Sequence, residues 1–203
     1  FVEEAELPPD DAEVRRAVAV HEAGHAAMAI LDSQGKNVPD YCSIVPGSDF
    51  KGVVTDSIAY CASLGDRTTF ADFRHRIRIR LAGRAAEELA FGPENISTGA
   101  GGDLAGAWKR AFTAFAHWGF APDMTSHESS ASNLGVVVGD PTASERARLE
   151  DLIRRYLADE YRRVHAMLAA HRPLVDAITD RLLSDAIVDQ GQLLELSRRY
   201  GCA

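Results

Sequence analysis

Two imidazoles four residues apart, with a carboxylate beside the first, make His21-Glu22-Ala23-Gly24-His25 the stretch of this chain best equipped for chemistry. On an α-helix residues i and i+4 share a face, about 6 Å of rise apart, so both imidazoles can meet one metal ion. Glu22 is one residue on and points elsewhere, within reach of a metal-bound water without being a ligand. The pattern H-E-x-x-H thus combines two neutral nitrogen ligands with a carboxylate able to take a proton from water acidified by zinc. The competing reading is a pair of core histidines. Ala17, Val18, Val20, Ala27, Met28, Ile30 and Leu31 surround the motif with apolar side chains. Two buried histidines and a glutamate are costly there without partners, which favours the metal.

The element that must carry the motif has few helix breakers and an apolar majority, and the pattern predicts a helix over about residues 11–31, broken by Gly35, Asn37 and Pro39. Residues 42–46 and 52–55 are short β-prone segments about the turn Gly47-Ser48-Asp49 and read as a hairpin. Its strand through Gly52, Val53 and Val54 serves equally as an edge that an extended peptide joins or as plain scaffold. A second long helix, capped by Thr68 or Thr69, carries Phe73, Ile77, Leu81, Ala85 and Leu89 and ends before Gly92-Pro93, with Gly83 permitting close helix approach. Near its end Glu87 and Glu88 are candidates for a carboxylate that accepts a hydrogen bond from a ligand histidine, and at least one of them reads as a surface residue.

The glycine-rich run Ser97-Thr98-Gly99-Ala100-Gly101-Gly102-Asp103 opens a further helix, on which Asp103 is either an oxygen ligand or a helix cap; spacing does not separate the two. Trp108, Phe112, Phe115 and Trp118 recur near helical spacing and read as core. Residues 122–133 read as a mobile loop and 135–139 as a short strand. From Thr142 the chain is helical again, over 143–171, 173–183 and 191–199, with an apolar seam through Leu149, Ile153, Tyr156, Val164 and Leu168.

Composition narrows the function classes. The 46% apolar and 26% charged fractions are those of a soluble globular chain. A net charge of −8 argues against nucleic acid as a partner, since phosphate binding needs clustered positive charge. Arg74, Arg76, Arg78 and Arg80 scatter around a helix and read as solvated or interface surface. No apolar run approaches the roughly 20 residues of a membrane span, so the chain as given reads as soluble. A start on Phe1 suggests a processed product or a piece of something longer. Cys42, Cys61 and Cys202, odd in number and without C-x-x-C spacing, read as free thiols. G-x-x-x-x-G-K-[ST] is absent, so no ATPase site is expected within the chain.

Taken together, the segments 20–26 around H-E-A-G-H, Ser43-Ile44-Val45-Pro46, the G-R-A-A-E-E-L run at 83–89, S-T-G-A at 97–100 with Asp103-Leu104, and Trp118-Gly119 resemble the peptidase domain of the FtsH family, membrane-anchored AAA+ zinc proteases. The closing region 160–196, including residues 185–189 as part of its helices, resembles that family too. The resemblance implies a mainly α-helical zincin-type peptidase domain, with a small β-hairpin or sheet beside the metal helix and a C-terminal helical bundle. It makes residues 1–203 one domain, of which 1–140 carry the metal site and 141–203 serve support and assembly. It implies His21, His25 and Asp103 as ligands of one Zn2+ and Glu22 as general base, with Glu87 or Glu88 as the next choice of third ligand. It further implies unfolded or misfolded proteins as substrates and a homo-hexamer at the cytoplasmic face of a bacterial inner membrane. ATP and the membrane would enter only through segments outside this chain. Gly102 stands where the family usually has Asn, and residues 49–67 match loosely. Two alternatives remain at this stage: an oligomerisation or adaptor module with a structural zinc, and a free-standing soluble metallopeptidase.

Overall fold

The architecture follows from one helix that is buried on every side. In the computed structural model, which describes residues 12–46, 52–57, 61–62, 68–120 and 142–200, helix α1 spans Ala12–Asp32 and is buried without interruption from Ala19 to Ile30. Such a helix must be covered all round. It is covered by helix α2 (Phe70–Phe91) and, through the C-terminal half of the chain, by helix α5 (Arg172–Asp185). The end of α1 is set locally: Ser33 Oγ donates to the Ala29 carbonyl at 2.6 Å, and Gly35, at φ 78°, closes its N–H on the Ile30 carbonyl at 2.8 Å.

Helix α2 starts at a capping box in which the Thr69 hydroxyl accepts from the Asp72 N–H while the Asp72 carboxylate accepts from the Thr69 N–H at 2.8 Å, a device worth about 1 kcal/mol. Phe73, Ile77, Leu81 and Ala85 form its buried seam, as the spacing predicts. Phe73 sits among Phe70, Phe115, Phe120 and Tyr156, which ties α2 to helices α3 (Gly101–His117) and α4 (Ala143–Ala170). Of the four aromatic residues expected in the core of α3, Phe115 is fully buried and Trp108 and Phe112 pack on the core's margin. Trp118 is 45% exposed, because the helix ends at His117 and releases it. Helix α6 (Gln190–Arg199) completes the set.

The expected hairpin is present as strands β1 (Tyr41–Ser43) and β2 (Val53–Val54), antiparallel with Cys42 opposite Val54. One expectation is corrected here. Residues 187–189 are not helical but form strand β3 (Ile187–Asp189), antiparallel to β1 with Val188 opposite Cys42, giving the order β2-β1-β3. Ala186, at φ 62°, ends α5 in a left-handed turn and hands the chain to the sheet, and Ile44 N–H bonds the Ala186 carbonyl at 2.9 Å. Val188 and Cys42 are both fully buried, and α1 packs on β1 and β2, so the sheet is the floor of the motif-bearing helix. The turn at 47–49, the loop at 122–133, the strand at 135–139 and Cys202 lie outside the described residues. No described helix is long and apolar enough to cross a membrane. Cys42 and Cys61 carry free thiols.

A buried polar chain crosses this core. Asp32 accepts from His75 Nδ1 at 2.7 Å and from Arg78 at 2.5 Å, Arg78 also donates to Glu160 at 2.5 Å, and Asn37 donates to His75 Nε2 at 3.0 Å. It links α1, α2 and α4 through groups that are each satisfied.

Candidate metal centre and cleft

His21 and His25 come to one face of α1 with rings edge to face, centroids 4.6 Å apart, and their Nε2 atoms lie 3.0 Å from each other. Asp103, 82 residues beyond His21, places Oδ2 3.2 Å from His21 Nε2 and 3.1 Å from His25 Nε2. Capping does not account for Asp103: α3 begins at Gly101 after a short 3-10 turn (Thr98–Ala100), and no side chain caps it. The carboxylate is turned instead to the two histidines from the first turn of the helix.

The opposite nitrogens decide what this triangle can do. His25 Nδ1 lies 2.6 Å from the Ile79 carbonyl, which only accepts, so that nitrogen carries the proton. His21 Nδ1 lies 2.6 Å from Glu87 Oε1, whose other oxygen accepts from the Ser97 N–H at 2.8 Å. Both histidines therefore turn Nε2 lone pairs toward each other and toward a carboxylate oxygen. Three electron-rich atoms 3.0–3.2 Å apart repel unless a cation sits among them. A tetrahedral zinc with bonds of about 2.0–2.1 Å spaces its ligands about 3.3–3.4 Å apart, so the donor set fits zinc in both chemistry and scale. Of the described residues, these three are the group of histidine, cysteine and acidic side chains able to hold a metal ion.

The electrostatics agree. Burial works to lower the basicity of His21, yet hydrogen bonds with Asp103 and Glu87 raise its pKa to about 9. Burial works to raise Asp103, but His21 and His25 hold it well below the usual carboxylate range. Glu87 is likewise held down by His21 and Ser97 against its own burial.

Gly83 permits the close approach of α2 to α1 at the His21 ring: a Cβ there would lie 2.5 Å from His21 Cε1 and Nε2. Glu87, at 1% exposure, is on the far side of His21 from Asp103, so it orients the imidazole and is set aside as a third ligand. Glu88 is no partner of the histidines; it accepts from the Tyr161 hydroxyl, and neither acid of the pair lies on the open surface.

Glu22, 7% exposed, lines a cleft of about 270 Å³ together with His25, Asp103, Gly52 and the strand residues Val53 and Val54. Burial raises its pKa, opposed by the nearby histidines. The backbone of Gly52 passes directly over it: a Cβ at 52 would lie 2.7 Å from Glu22 Oε1.

The arginine run divides between the helix packing and the cleft, with the Arg80 side chain still 40% exposed. Arg78 is half-buried between Asp32 and Glu160, Arg74 lies over the Phe70 ring, and Arg76 and Arg80 line the cleft with Arg110 of α3. The sequence held a signal for this that the whole-run view missed: residues 76 and 80, four apart, share one helix face. The Ile79 carbonyl, by contrast, had none.

The profile of peptidase family M41 matches residues 10–196. The chain is 29% identical over 193 residues to the ATP-dependent zinc metalloprotease FtsH of Thermobaculum terrenum, covering 91% of this chain and 29% of that protein. It is 30% identical over 189 residues to the FtsH of Burkholderia pseudomallei, covering 88% and 27%, and 27% identical over 190 residues to that of a Synechococcus strain, covering 87% and 28%. The chain thus spans less than a third of the length of these curated relatives. A match across nearly the whole chain, running through the histidine pair, Glu87 and Asp103, means that this chain belongs to peptidase family M41.

Proposed function

We propose that the chain is a zinc-dependent endopeptidase, the proteolytic module of an ATP-dependent protease that hydrolyses unfolded polypeptides. The observation that carries this is the convergence of His21 Nε2, His25 Nε2 and Asp103 Oδ2, with both Nδ1 atoms committed elsewhere and Glu22 in the adjoining cleft. His21, His25 and Asp103 would hold one Zn2+. Bound there, zinc lowers the pKa of a water and polarises a carbonyl.

The remaining work falls to this chain's own groups. Glu22 accepts the proton of the attacking water and returns it to the leaving amine. Glu87 keeps the His21 ring in the tautomer that leaves Nε2 free, and the Ile79 carbonyl does the same for His25. Strand β2 lies at the end of the sheet, paired on one side with β1, and its residues Val53 and Val54 line the cleft together with the preceding Gly52. An extended substrate strand hydrogen-bonds to that edge and passes its scissile carbonyl over Glu22. The relatives' names couple proteolysis to ATP. In this reading ATP is used by a domain outside this chain, and the whole protein assembles as a homo-hexamer at a membrane.

Glu22→Gln tests the reading. It should retain stoichiometric zinc by atomic absorption while casein cleavage falls by about 10²–10⁴-fold. Undiminished cleavage refutes it. Stoichiometric zinc with no cleavage by the unmutated protein, and unfolding on chelation, would point to the adaptor with a structural zinc.

A further inference from the structure

We propose that Arg76, Arg80 and Arg110 form an acceptor for an acidic side chain of the substrate peptide close to the scissile bond, with Arg110 as its anchor. The inference rests on the endopeptidase reading and adds a substrate preference to it.

Three guanidinium-bearing residues from two helices line the cleft that holds Glu22 and His25. They are close enough to disfavour one another's charge: after burial, Arg76 and Arg80 are the causes that lower the pKa of Arg110. Like charges gathered in a half-buried wall destabilise the fold unless a counter-charge meets them. The wall supplies only part of it. Arg76 reaches Asp56 at 3.5 Å and Arg80 reaches Asp103 at 3.5 Å, both long contacts, and Asp103 is already turned to the histidines. Arg110 forms no ion pair among the described residues, and Asp56 offsets its repulsion only in part.

The arrangement is also built rather than incidental. The Arg80 guanidinium rests on α3 where Gly106 leaves room for it; a Cβ at 106 would come within 2.5 Å of Arg80 Nη1. A planar guanidinium packed on one side against a helix keeps fewer orientations than a free one, and the Arg80 side chain, 40% exposed, presents its remaining N–H groups to the cleft. Purely structural ion pairs with Asp56 and Asp103 would be complete without Arg110. A peptide laid along β2 sends alternate side chains to the same side, so an acidic residue one or two positions from the scissile bond meets this wall. There a carboxylate gains charge-assisted hydrogen bonds and relieves the mutual repulsion of the three arginines.

The test uses quenched fluorescent peptides that place Glu, Gln or Lys singly at each of the two positions on either side of the cleaved bond. With the zinc-loaded chain, one position should rank Glu over Gln over Lys in kcat/KM, with Glu about tenfold over Gln. Arg110→Glu should invert the Glu-to-Lys ratio, and Arg110→Gln should bring it within about twofold of unity. The same peptides, dye-labelled and titrated onto Glu22→Gln, should rank identically by fluorescence anisotropy. Ratios near unity at all four positions, or a ratio unmoved in both Arg110 variants, overturn the inference. If no peptide is cleaved, the endopeptidase reading fails by itself and the anisotropy ranking still decides the arginines; equal binding of Glu and Lys peptides refutes them.

Discussion

Glu87→Gln isolates what the buried carboxylate behind His21 does. In the native site one Glu87 oxygen accepts from His21 Nδ1 at 2.6 Å and the other accepts from the Ser97 N–H at 2.8 Å, in surroundings that leave the residue 1% exposed. Glutamine has the same shape but only one accepting oxygen, so its amide group must face one of the two donors. If the amide faces Ser97, the hydrogen bond to that N–H is lost and the buried side-chain NH2 at position 87 meets a donor instead of an acceptor, at about 1–3 kcal/mol. If it faces His21, the imidazole is driven to the other tautomer, and the proton moves to the Nε2 that points at Asp103 and His25. Either way the negative charge that helps hold the His21 pKa at about 9 is gone. The expected outcome is a loss of about 1–3 kcal/mol in denaturant stability without metal, together with a 10- to 100-fold weaker zinc affinity, roughly the cost of losing such an orienting partner. Competition against a chromophoric chelator measures the affinity, and urea unfolding in excess chelator measures the stability. Zinc affinity within about twofold of the unmutated chain, in a variant that has lost stability as expected, would show that Glu87 is only a buried acid and that the argument from tautomers is wrong.

Asp103→Asn should weaken zinc by more than about 100-fold while leaving the chain folded, read by equilibrium dialysis and circular dichroism. Gly83→Ala puts a methyl group 2.5 Å from the His21 ring; it should cost about 1–3 kcal/mol in thermal unfolding and abolish stoichiometric metal. Asp32 is opposed by its own burial but held below the ordinary carboxylate pKa by His75 and Arg78, so its contribution to stability is present above about pH 4 and is lost as the pH falls through the lowered value. Asp32→Asn should therefore remove about 3 kcal/mol at neutral pH and flatten the acid limb of stability below about pH 4. An acid limb as steep in Asp32→Asn as in the native chain would assign it to other carboxylates.

What could be read before any coordinates were those features carried by short periods along the chain. The i, i+4 spacing puts His21 and His25 on one helix face, and the Thr69–Asp72 and Thr142–Glu145 pairs are capping boxes whose hydrogen bonds span three residues. The seam Phe73, Ile77, Leu81, Ala85 follows equally from local periodicity, whereas the pairing of Cys42 with Val54 is read only from the structure. For Asp103, spacing alone left cap and ligand level, and only the family resemblance favoured the ligand.

The tertiary structure decided what local periods do not encode. It brought Asp103 to two histidines 78 and 82 residues away, and it separated Glu87, which backs His21, from its neighbour Glu88, which bonds Tyr161. It also made residues 187–189 a strand, because β1 had an unpaired edge that only a segment more than 140 residues later in the chain could fill. The four arginines illustrate the division best. Their sequence shows only alternation, but α2 is packed on one side by α1 and α4 and on another by α3. The same spacing therefore sends Arg78 to a buried carboxylate pair and Arg76 and Arg80 to the cleft. The fate of a charge on a helix depends on which neighbour covers that face, and neighbours are chosen by the whole fold.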